Sequence, residues 1–75
     1  MIFTTEQLKQ IATAGGGFVI DASTMTFNQI RDVSAAANTG NAKITIKNFS
    51  VTLTALQMTE LASLAPGLIV FDLSG

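Results

Sequence analysis

The chain has 75 residues, 48% of them hydrophobic and 12% charged, with four Lys/Arg against five Asp/Glu and neither cysteine nor histidine. A single domain of this length hides only about 60% of the surface its unfolded chain exposes, so disulfides, metal or association usually support it. Here disulfides and thiolate zinc are excluded, a metal would rest on carboxylates alone, and the scattered Lys9, Arg31, Lys43 and Lys47 make no basic surface for a nucleic acid.

The composition is too apolar for disorder and carries about half the usual share of charge, which leaves apolar surface needing cover. No apolar run approaches the roughly 18 residues of a membrane span. The opening "MIFTTEQLKQ" has neither the basic start nor the apolar core of a secretory signal. The expectation is a cytoplasmic protein with no membrane span.

The first element is the helix "FTTEQLKQIATA" from Phe3. Thr4 followed three residues later by Gln7 is a capping box, and Phe3 stands where a hydrophobic staple begins. Leu8, Ile11, Ala12 and Ala14 form its apolar stripe, with Glu6 and Lys9 outside it. Gly15-Gly16-Gly17 ends the helix, and "FVIDAS" reads as a strand closing on Asp21. A glycine run beside an apolar strand raises the possibility of a phosphate site. The order excludes it: phosphate loops lead from strand into helix N-terminus, whereas these glycines meet the helix's electronegative C-terminal end.

The same two blocks follow twice more. "MTFNQIRDVSAA" from Met25 has its box at Thr26 and Gln29, stops around Asn38-Thr39-Gly40-Asn41, and leads into the strand "ITIKNFS". That connector is predicted to be the longest and most mobile in the fold. "LTALQMTELASL" from Leu53 has its box at Thr54 and Gln57, stops at Pro66-Gly67, and leads into "LIVFDLS". The three units span about residues 3–23, 25–50 and 53–74 of one domain covering 1–75.

Tandem helix–strand units predict an α/β fold, αβαβαβ, with a three-stranded parallel sheet in order 1-2-3 and all helices on one face. Aligning the strand ends Asp21, Asn48 and Asp72 sorts the side chains by period-2 alternation. Val19, Ile44, Ile46, Leu68 and Val70 then face the helices. Phe18, Ile20, Thr45, Lys47, Ile69 and Phe71 face away and form the predicted protein interface; the alternative is that the two faces are swapped or that the helices wrap both sides. A parallel sheet normally has both faces covered, so an open apolar face marks an interaction surface.

"ITIKN" at Ile44–Asn48 and "LIVFD" at Leu68–Asp72 give this arrangement a likeness over the whole chain to leucine-rich-repeat α/β solenoids, whose strands alternate apolar residues and end near an asparagine. The resemblance implies protein binding through the sheet face and brings no catalytic residues with it.

Chemistry has few candidates. Without His, Cys or Tyr, bases are limited to Glu6, Asp21, Asp32, Glu60 and Asp72. Asp21 and Asp72, with Asn48 between them, are expected roughly 10 Å apart from strand spacing. That is near the upper end for an inverting glycosidase pair, but a chain this short forms no deep cleft. The plainer reading is that these residues bond the backbone of the turns leaving each strand. No dinucleotide, Walker or zinc motif is present. The sequence therefore predicts a non-enzymatic interaction module without cofactor or metal that associates with another protein or with itself, most simply as a homodimer. The alternatives are the N-terminal solenoid-like domain of a longer protein, or a small-molecule binder or enzyme using the Asp21/Asn48/Asp72 row with Ser23, Ser50 and Ser74.

Overall fold

The computed structural model describes residues 3–49 and 53–73. Its elements are α1 (Thr5–Thr13), β1 (Phe18–Asp21), a 3-10 turn (Ala22–Thr24), α2 (Phe27–Gly40), β2 (Ile44–Lys47), α3 (Ala55–Leu64) and β3 (Ile69–Phe71). The strands form one parallel sheet in the order β1-β2-β3. Among the described residues no helix is long and apolar enough to cross a membrane.

All three capping boxes form. The Gln7 amide donates to Thr4 Oγ1 at 3.2 Å, and the Thr4 amide donates to Gln7 Oε1 at 2.9 Å. The same reciprocal pair recurs at Thr26/Gln29 and Thr54/Gln57. Each box satisfies two backbone donors that a helix start would leave open, and losing such a cap costs about 1 kcal/mol.

The sheet register differs from the sequence alignment. Phe18 pairs with Ile44 and Ile44 with Ile69; Ile20 pairs with Ile46 and Ile46 with Phe71. All six apolar side chains therefore share one face, and that face is the one the helices cover. Ile20 is 3% exposed, and Ile44 and Ile46 are fully buried in one core with Leu8, Ala12, Ile30, Val33 and Leu61. Phe18, Ile69 and Phe71 pack against the same core. The other face carries Val19, Thr45 and Val70, with Val19 60% exposed.

This corrects the predicted interface: Phe18, Ile20, Ile69 and Phe71 lie under the helices, and only Thr45 and Lys47 look out from the open face. The offset lies at Asn48, which takes a left-handed conformation (φ 56°) just past β2 while Lys47 stands opposite Asp21. A slip of one residue in β2 transfers every side chain of the neighbouring strands to the wrong face.

The middle connector is also shorter than expected. α2 runs through Asn38, Thr39 and Gly40, and stops on Asn41 at φ 56°. The Asn41 and Ala42 amides both donate to the Ala37 carbonyl, closing the helix end. Within the helix, Gly40 lies very close to the end of α1, and only glycine fits there. A β-carbon there would fall 2.0 Å from the Ala12 carbonyl oxygen and 2.5 Å from that of Thr13. Gly15, at φ +96°, ends α1 at the same place, its amide bonded to the Ala12 carbonyl.

Gly40→Ala sets two effects against each other. Alanine gains about 1 kcal/mol of helix propensity, while an overpacked methyl group costs about 1–3 kcal/mol. The obstacle here is α1 backbone, which cannot swing aside, so the cost falls at the upper end of that range and the clash wins. Urea denaturation is expected to show a net loss of about 1–2 kcal/mol; an unchanged or raised midpoint would mean that α1 and α2 separate freely.

Candidate functional site

With their capping boxes aligned, the three helix–strand pairs bury equivalent positions unequally. Val33 in α2 and Leu61 in α3 are fully buried, whereas their α1 counterpart, Ile11, is 41% exposed. The staple residues Met25 and Leu53 are buried, whereas Phe3 is 49% exposed. Core positions of the first pair thus lie open on the side where, among the described residues, no further helix or strand packs.

They open onto a groove of about 540 Å³ along the outer side of β1. Phe3, just ahead of α1, with Leu8 and Ile11 of α1 form one wall, and Phe18 and Ile20 of β1 the other. Because β1 is at the sheet's edge, some of its backbone N–H and C=O groups turn away from β2. An extended chain laid there would meet hydrogen-bonding backbone and an apolar slot together.

Asp21 lies at one end of the groove, which Thr24 and Lys47 also line. Its Oδ1 accepts from the Ser23 amide at 2.9 Å and from the Ser23 hydroxyl at 2.6 Å. Its Oδ2 accepts from Asn48 Nδ2 at 3.1 Å. The Ser23 hydroxyl and amide, then the Asn48 amide and the nearby Lys47 ammonium, hold this carboxyl below its ordinary value of 3.8. The turn-binding role read from the sequence is the role Asp21 performs. Asn48 instead reaches sideways and ties the ends of β1 and β2 together.

The structure therefore divides the predicted site residues. Phe18 and Ile20 line the groove from the helix-covered side, and Lys47 borders it from the open face. Ile69 and Phe71 lie at the opposite edge of the sheet, where Phe71 meets the Phe49 ring edge-on with centroids 5.6 Å apart. Thr45 lies in the middle of the open face between Val19 and Val70. Ser50 and Ser74 fall outside the described residues. Sequence reasoning missed Phe3 and Ile11 as exposed, and the buried Leu8 as a groove wall, because their positions in the pattern are those of core. The available signal was positional, since among the described residues α1 has a helix neighbour, α2, on one side only.

Asp21 makes acid stability testable. Its folded pKa lies below the unfolded one, so the unfolded chain binds the proton more readily. The stabilisation is complete above about pH 4 and disappears as pH falls through the lowered folded value. Asp21→Asn is expected to be less stable than wild type near neutrality, with the gap closing on acidification. A gap that stays constant between about pH 7 and pH 2.5 would show that the charge contributes nothing.

No family model, curated protein or solved structure matches this chain, so the reading of its site rests on the geometry alone.

Proposed function

We propose that this chain is a non-enzymatic protein-interaction module that binds through the free edge of β1 and the groove beside it. The observation that supports this reading is the unequal burial of equivalent positions. Phe3 and Ile11 lie open around an edge strand, while their counterparts in the next two helix–strand pairs are buried. Clustered apolar side chains beside unpaired strand backbone favour the addition of an extended segment: main-chain bonds supply affinity, and alternate side chains enter the slot.

This surface replaces the sheet-face dimer expected from the sequence. The open face offers Val19, Thr45, Lys47 and Val70, a mixed surface without the phenylalanines and isoleucines that the dimer required. The groove accepts a strand from another protein or from another copy of this chain.

Selection of displayed random peptides against the immobilised protein tests the reading. The expected result is enrichment of sequences with alternating apolar residues, and loss of their binding to Ile11→Asp, whose exposed position lets the variant fold. No enrichment, or binding unchanged by Ile11→Asp, would overturn it.

A further inference from the structure

The chemistry of the preferred strand can be read from charges along the open face. Asp21 and Lys47 are register partners on β1 and β2. Asp72 follows Phe71, the partner of Ile46, and its amide donates to the Ile46 carbonyl at 2.9 Å. One step past the last apolar pairs, the sheet therefore carries an acid, a base and an acid on successive strands. Opposite charges side by side on neighbouring strands are favourable and like charges unfavourable.

On its outer side Asp21 has no strand beside it, and no cation lies within ion-pair distance among the described residues. The position next to it, about 4.8 Å further across the sheet, continues the alternation only if a cation occupies it. The helix-side positions of the same incoming strand face the apolar groove walls at Phe18 and Ile20. Lys47 borders the groove too, but it stands on the inner side of Asp21, one strand further from the incoming chain.

Resting on the edge-binding reading, we propose that the β1 edge receives a strand of a partner protein with apolar residues at alternate positions and a Lys or Arg beside Asp21. A second copy of this chain fits less well. Neither of its free edges, β1 (Phe18–Asp21) and β3 (Ile69–Phe71), carries a cation. Added parallel in the sheet's own register, β3 would bring Asp72 next to Asp21, acid against acid.

The molecule already contains a strand of the required kind. Residues 43–47 read "KITIK", with two isoleucines for the groove and a lysine at either end, so either strand direction places a cation next to Asp21. A synthetic peptide with the sequence of residues 42–49 is therefore the probe, compared with the same peptide carrying glutamate at both lysine positions. Each is titrated into the isotopically labelled full chain and followed by amide chemical shifts.

The expected result is that the Val19, Ile20 and Asp21 amides move with both peptides, and that the lysine peptide binds about fivefold tighter, the size of one cross-strand charge pair. In Asp21→Asn, a near-isosteric change that keeps an acceptor for Ser23, the preference should vanish while binding remains. Equal affinity of the two peptides for wild type would overturn the proposed partner chemistry and leave edge binding standing. Neither peptide moving the β1 amides would overturn both. Concentration-dependent shifts of those amides without any peptide would assign the edge to a second copy, and overturn the basic partner strand.

Discussion

The fold depends on the pairing of three very short strands in a single register. β1 and β2 have four residues each and β3 has three, too few for ladder hydrogen bonds alone to define which residue faces which. Burial makes the choice. In the observed register Phe18, Ile44 and Ile69 form one apolar row and Ile20, Ile46 and Phe71 the next, and both rows meet the helix stripes. A slip of one residue would turn Thr45 and Lys47 into the core and leave Ile44 and Ile46 in water. A desolvated ammonium without a partner and two exposed isoleucines cost several kcal/mol between them. The same choice places Asp21 beside Lys47, and so sets the charge pattern of the open face.

The helices supply the other half of this constraint by lying close to one another. Gly40 lets the α2 backbone touch the end of α1, and Gly17, just before β1, would meet the Lys43 carbonyl oxygen at 2.5 Å if it had a β-carbon. The two glycines act at the same junction, one for the helices and one for the chain segments entering β1 and β2. Ser34, the buried polar residue of α2, has no unmet hydrogen bond, because its hydroxyl donates back to the Ile30 carbonyl at 2.9 Å.

Local rules in the sequence reached far. The Thr–x–x–Gln boxes located every helix start, and the alternation of helix and strand gave the order and direction of the sheet. What stayed hidden was decided by single backbone conformations and by neighbours distant in sequence. Asn48 matches the aspartates of the other strands in residue type, yet it lies past the ladder with a left-handed φ, and the face assignment turned on that one residue. Asn38–Gly40 resemble a helix stop in isolation; within the helix, Gly40 is a packing residue against the end of α1. The groove was invisible for a related reason. Phe3 and Ile11 occupy core positions of the pattern, and whether such a residue is core or surface depends on whether anything packs beyond it.

An open strand edge beside apolar side chains invites indiscriminate pairing, and proteins usually blunt such edges with brevity or charge. β1 has both: four residues, bounded before Phe18 by glycine and closed by Asp21. The carboxylate cannot retreat from the edge, because the Ser23 amide and hydroxyl and the Asn48 side chain hold both its oxygens in place. A flexible surface acid would yield to any incoming strand, whereas a fixed one penalises an acidic neighbour and favours a basic one. The residue that closes the turn after β1 is therefore also the one placed to discriminate at its edge. Both roles follow from the same hydrogen bonds.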